Sequence, residues 1–275
     1  MRLRTMLQSF ARVLIVTMAL VWTLYPLMWI VLSSFKPASE QFMIPPRWTP
    51  SQWSLENYAR FFSNAEFVRS LLNSMVVTAT AVGISLLVGV PAAYGLSRFT
   101  FRGKHQVTVG VLLARMTPPI VLVLPVFLIA RRLGVIGTYF VLITVMAVFA
   151  IPFAVWMLRG FFAEIPKELE EAAMVDGCSR LAAIARVTLP LTAPGMAATS
   201  VLNSLIVWNE FLFILVLSSP ATRTLTVLVN TFVSEKVVDW GTMSAAAVIT
   251  ALPLVIVGLA SQRHLVRGLT MGSIK

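Results

Sequence analysis

The chain has 275 residues, of which 22 are basic and 11 acidic, so only 12% are charged while 58% are apolar. Its mean hydropathy is +0.86. A soluble domain of this size lacks the interior to hide that much apolar surface, and disorder requires the opposite composition, so the chain is read as a membrane protein. The net charge of +11 raises nucleic acid as a partner, a question settled by where the charges lie. Cys178 alone cannot form a disulfide framework or a cysteine metal site, and His105 and His264 offer little to a metal.

Residues 1–12 are basic and precede 20 uncharged residues, Val13–Leu32. That stretch exceeds a signal-peptide core and no small-residue cleavage site follows it, so it reads as a retained first span. Uncharged stretches further on place six transmembrane helices near 13–33, 71–96, 107–130, 136–158, 193–217 and 243–262. The expected fold class is therefore an all-α polytopic membrane protein. Between the first two spans, 34–70 contains Pro37, Pro45, Pro46 and Pro50 and cannot be one regular helix. Its tail predicts a short amphipathic helix capped by Ser54, with Asn57 at the capping-box position. Two readings stand for this loop: a segment lying on the membrane, or a docking surface. Trp22, Trp29, Trp48 and Trp53 gather toward one interface.

Gly95 to Gly103-Lys104 does not have P-loop spacing, and His105 stands where a hydroxyl is needed. The sequence carries no metalloprotease or serine-hydrolase signature either, so no nucleotide site or catalytic constellation is expected in this chain. Arg115 and Glu210 fall inside expected spans, where a charge costs about 2.5–3.5 kcal/mol at the bilayer centre. With Asn209 they are candidates for the lining or gate of a translocation pathway; the competing reading is a structural pair that fixes the bundle. Consecutive prolines, Pro118-Pro119, follow Arg115 and predict a kink.

Between the fourth and fifth spans lies Arg159–Thr192. Pro166 suits a helix start, Lys167–Val175 a helix with early acidic residues, and Asp176-Gly177 a break. Leu181–Val187 predicts a second short helix that Leu189-Pro190 ends. Glu171-Ala172-Ala173, Asp176-Gly177, Leu189-Pro190 and Pro194 together resemble the "EAA" loop of ABC importer permeases. Cys178 stands where that family often has Ala. Trp208-Asn209-Glu210-Phe211 and the tail with Arg263, Gly268, Leu269, Thr270, Gly272 and Lys275 resemble the shorter six-span subunit of carbohydrate importers of the maltose type.

The resemblance implies a type I ABC importer permease fold in a bacterial or archaeal cytoplasmic membrane. It implies Glu171, Ala172, Ala173, Asp176 and Gly177 as the ATPase-coupling residues. It also implies a second permease in a heterodimer, a cytoplasmic ABC ATPase dimer that holds the ATP and Mg, an external solute-binding protein, and no cofactor in this chain. Docking then becomes the favoured reading of the first loop. The expected solute is a sugar, with a polyol or glycerol phosphate derivative as alternatives; a secondary transporter in which Glu210 titrates protons is the competing mechanism.

With the N-terminus inside, 13 basic residues fall on the cytoplasmic side and 8 outside, with Arg115 within a span. The bias places both termini in the cytoplasm and assigns the charge to orientation rather than nucleic acid. The Arg131-Arg132 pair opposes the trend. The organisation expected is a cytoplasmic N-terminus at 1–12, a first transmembrane helix at 13–33, an external loop at 34–70, a permease core at 71–262 with its coupling loop at 159–192, and a cytoplasmic tail at 263–275.

Overall fold

The structure, a computed structural model, describes the backbone of residues 2–232 and 239–271 and the side chains of 10–230 and 239–261. Arg2, Arg4, Lys236 and the tail motif from Arg263 to Lys275 lie outside the described side chains. Every regular element among the described residues is helical: α1 (Arg2–Ser34), α2 (Glu56–Ser63), α3 (Ala65–Arg98), α4 (Lys104–Met116), α5 (Pro119–Arg132), α6 (Tyr139–Glu164), α7 (Glu168–Val175), α8 (Arg180–Ala183), α9 (Leu189–Trp208), α10 (Leu212–Leu217), α11 (Leu225–Phe232) and α12 (Trp240–Met271).

Five helical runs are long and apolar enough to cross a membrane: α1 from Phe10, α3, α6, the run Arg180–Trp208 and α12. The sixth expected span is not a straight rod. Its residues fall on α4 and α5, which are long and apolar enough only when taken together and are bent by 94° to one another. The cause is local, because each residue before a proline is pushed out of the helical region. Thr117 (ψ 120) and Pro118 (ψ 132) are both extended, and Pro119 starts the next helix where its missing N–H is harmless.

The fifth span also departs from expectation. It does not run unbroken over 193–217 but stops at Trp208 and resumes at Leu212. No proline or glycine stands in the gap. Instead Glu210 Oε1 accepts the Phe213 N–H at 3.1 Å in place of a ladder carbonyl, and Asn209 Nδ2 adds a second donor to the Leu205 carbonyl, which also accepts the Asn209 N–H. Leu189-Pro190, expected to end the second elbow helix, does not end it. A π-helical turn over Ile184–Thr188 carries α8 into α9 and accommodates the proline ring one turn on.

The chain forms two compact units, Met1–Val68 with Val229–Leu252, and Arg69–Leu228 with Pro253–Lys275. In the first, the loop after α1 is a polar knot that satisfies the carbonyls left open at the helix end. Gln41 Nε2 donates to the carbonyls of Ser33 and Lys36, and Asn57 Nδ2 to those of Ser34 and Lys36. Lys36 is buried; its Nζ donates to the Arg47 carbonyl and lies 4.1 Å from the Trp29 ring centre. Burial lowers the Lys36 pKa, with the Glu40 carboxylate pulling the other way. Trp48 packs on Tyr25 and Trp29, and Trp53 on Phe35. The expected helix is α2, but Leu55 rather than Ser54 stands at its N-cap; Ser54 Oγ still accepts the Glu56 N–H at 3.1 Å, and Asn57 turns to the carbonyls after α1 instead of closing a capping box. Arg60 pairs with Glu56 and with Asp239, whose carboxylate caps α12 through Thr242.

The second unit has an apolar core of residues such as Val77, Leu142, Met146, Ala150, Phe213 and Leu217. Buried polar side chains cross-link it, as expected where no water is available. Asn203 Nδ2 reaches Ser85 Oγ and the Ala150 carbonyl, joining α3, α6 and α9. Asn73 holds the segment after α10 through the carbonyls of Ala221 and Arg223 and accepts the Tyr139 hydroxyl. Gly89 lets α3 approach α6, since a Cβ there would stand 2.8 Å from the Ala154 Cβ. Gly195 is likewise covered by the Phe161 ring.

A contrast between two glycines of α3 tests this packing. Gly89→Val is expected to destabilise by about 1–3 kcal/mol through overpacking, whereas Gly95, with open space where its Cβ would be, tolerates Ala with no loss. Apparent melting temperatures in detergent should fall for the first and hold or rise for the second; equal midpoints would refute the close α3–α6 contact.

Candidate functional site

The elbow between the fourth and fifth spans begins where Ile165, extended before Pro166, ends α6. Three acidic residues, Glu168, Glu170 and Glu171, occupy the first turn of α7, where the helix dipole favours them. At its other end Gly177 adopts φ +91, the left-handed conformation glycine accepts without strain. The Cys178 N–H bonds the Ala173 carbonyl and the Gly177 N–H that of Met174, a Schellman closure. Ser179 then caps α8 by accepting the Ala182 N–H at 3.3 Å.

The residues singled out from sequence fall on one short stretch. Glu171, Ala172, Asp176 and Gly177 are exposed and Ala173 is half-buried. The residue that ties this stretch to the bundle is Glu170, which sequence reasoning counted only as part of an acidic cluster. The residue is 7% exposed, and its carboxylate accepts from Tyr94 Oη at 2.8 Å, Arg98 Nε at 2.8 Å and Thr188 Oγ1 at 2.9 Å. One side chain thus joins α7, the end of α3 and the π turn before α9. A signal was available: adjacent residues on a helix point about 100° apart, so Glu170 and Glu171 cannot share one face. Burial pushes the Glu170 pKa up, but hydrogen bonds from Tyr94, Thr188 and Arg98 and the arginine charge outweigh it and leave it lowered.

Arg115 and Glu210 are brought together, but not as an ion pair. Both line a cavity of about 140 Å³ beside the α4–α5 bend, with Pro119, Phe149 and Ile206 also on its wall. The Arg115 guanidinium sits 4.7 Å from the centre of the Phe153 ring, and Glu210 caps α10. No salt bridge joins them among the described residues. Asn209 is absent from the cavity wall; it is exposed and folded back on Leu205.

Removing one partner of a buried ion pair leaves the other uncompensated, at about 3–5 kcal/mol. Glu170→Ala should therefore lower the melting temperature sharply, while Glu170→Leu combined with Arg98→Met recovers most of the loss. The lowered folded pKa sets the sign of the pH dependence: the contribution is full above the unfolded value of about 4.3 and is lost as pH falls through the folded value. Thermal scans of the native chain and Glu170→Gln should differ most near neutrality and converge in acid; a gap independent of pH would contradict this linkage.

Residues 85–271 match the family model described as "Binding-protein-dependent transport system inner membrane component". The inner membrane ABC transporter permease protein YcjP of Escherichia coli strain K12 is 38% identical over 259 residues, covering 93% of this chain and 92% of its own length. The diacetylchitobiose uptake system permease protein DasC of Streptomyces coelicolor is 35% identical, covering 91% of both chains. The trehalose/maltose transport system permease protein MalG of Thermococcus litoralis is 35% identical, with 92% and 91% covered. Among solved structures, a chain of a bacterial ABC transporter involved in import of the acidic polysaccharide alginate superposes with TM-score 0.79 at 22% identity, covering 94% of this chain and 96% of that one. The fold is that of a type I ABC importer permease. The chain belongs to the family of inner membrane components of binding-protein-dependent transport systems.

Proposed function

We propose that the chain is one of two permease subunits of an ATP-driven sugar importer, supplying half of the translocation pathway. The observation that carries this reading is the elbow. Its helix α7 exposes Glu171, Ala172 and Asp176 beside the Gly177 turn, while Glu170 anchors the same helix to α3 and the start of the α9 run. A helix free on one side and fixed on the other suits a part that is pushed by a partner and moves membrane helices. Small Ala172 and Ala173 allow close seating, and the carboxylates of Glu171 and Asp176 offer acceptors to basic groups of an ATPase. ATP and Mg then belong to that ATPase dimer, and the elbow and both termini lie in the cytoplasm. A solute-binding protein delivers the sugar from outside. The sugar assignment rests on relatives whose names specify diacetylchitobiose and trehalose or maltose.

Within the membrane, Arg115 and Glu210 form a polar spot on the pathway beside the α4–α5 bend, and their shared cavity supports that placement. Asn209, just outside the cavity, belongs to the same break in the fifth span.

Uptake by the complete importer in proteoliposomes tests the coupling. Glu171→Lys and Gly177→Pro should each lower ATP-driven sugar uptake by about tenfold or more, the scale of a lost charge-assisted contact, with the permease still in the membrane. Unchanged uptake in both variants, or uptake that runs on a proton gradient without ATP, would overturn the reading. The single cysteine makes the pathway testable as well. In a Cys178→Ser background, Arg115→Cys and Glu210→Cys should react with a charged, water-soluble maleimide and be protected by transported sugar. Inert thiols at both positions would assign the cavity to packing.

A further inference from the structure

In the second unit an apolar groove of about 720 Å³ runs along α3, closed on its other side by α8 and the start of α9. Gly83, Leu87, Val90, Tyr94 and Leu181 lie along it, and Arg180 is the one charged side chain on its wall. Leu87 and Leu181 are 77% and 79% exposed, so the groove opens outward. Gly83 and Tyr94 are eleven residues apart on α3, which is about 16 Å at about 1.5 Å per residue. That matches one leaflet, about half of a hydrocarbon core of about 30 Å.

The end of the groove is electrically distinct. Arg180 stacks over Phe99, 5.4 Å from the ring centre, and forms no salt bridge among the described residues. Arg98, nearby on α3, is already committed to Glu170. Arg102 follows in the loop after α3, and Lys104, whose Nζ donates to the Phe99 carbonyl, opens α4. A trough of leaflet depth that ends at an unneutralised guanidinium complements an acyl chain with a negative headgroup, as basic pockets between membrane helices do.

We propose that this groove is a binding site for one anionic phospholipid, its acyl chain along α3 and its phosphate on Arg180. The proposal rests on reading the elbow as lying at the membrane surface, and on no property of the transported solute. The lipid would fill the space between α3 and the elbow's second helix, so the membrane itself supplies part of the elbow's support.

The test uses the complete transporter in nanodiscs of phosphatidylcholine with a minor share of phosphatidylglycerol. Lipids retained per complex are counted by native mass spectrometry. Phosphatidylglycerol should be enriched on the native protein, and Arg180→Gln should cut that enrichment about fivefold, the value of one basic contact, with phosphatidylcholine retention unchanged. Arg180→Lys should keep most of it. Gly83→Phe, placed where a Cβ meets nothing within 4 Å, should fill the groove and displace the lipid; Leu87→Trp is a second filler if that variant assembles poorly. Equal retention of the two lipids by the native protein, enrichment that survives both Arg180→Gln and the fillers, or a groove occupied by a helix of the second permease would each overturn the site. Uptake is measured separately, so an importer reading that fails leaves the lipid count intact.

Discussion

A carboxylate removed from water costs several kcal/mol unless donors surround it, and Glu170 gathers three from two other segments. That requirement orders much of the second unit. Arg98 must stand at the end of α3, Tyr94 one turn before it, and Thr188 where the π turn meets α9. Because Glu170 turns inward, Glu171 turns outward, so the exposed face of the elbow is a by-product of the buried one. The Schellman closure at Gly177 fixes the other end of α7, leaving a short helix with two fixed points and one free side.

Inside the bundle the constraint is the same and the solutions differ. A membrane helix can be interrupted only where something else satisfies its open backbone groups. At the α4–α5 bend two prolines remove donors and extend the backbone. At the α9–α10 gap Glu210 provides the missing acceptor, for the Phe213 N–H. At the elbow exit the ladder is widened instead of broken. The first two interruptions face one cavity, which places the least regular backbone beside the charged side chains that a nonpolar surrounding would penalise most.

Much of this was legible in the residues. Low charge and long apolar runs gave the membrane class and five straight spans, and the spaced Glu171, Ala172, Ala173, Asp176 and Gly177 led to the family. Periodicity could not show the 94° bend, because hydropathy reports length and not direction; Pro118-Pro119 signalled a kink but not its size. The gap at Asn209–Phe211 was invisible because it arises from side chains bonding the backbone, with no glycine or proline to mark it. Leu189-Pro190 misled for the opposite reason, since a breaker was present and a π turn absorbed it. Glu170 was overlooked because its partners, Tyr94 and Arg98, lie more than 70 residues away in the chain.

The knot after α1 has a bearing on how the protein is made. Its own bonds join residues between 33 and 58, so α1 has its end sealed soon after it emerges. The unit it belongs to is completed much later, by Asp239 and Gly241, with Arg60 and Asp239 separated by 179 positions. At about 5–20 residues per second that interval is roughly 10–40 s. Throughout it Asn57, which Gly241 closely covers in the finished protein, presents an empty seat. A segment made well before its partners is thus finished late, and the cell's membrane-insertion and quality-control machinery meets it half built.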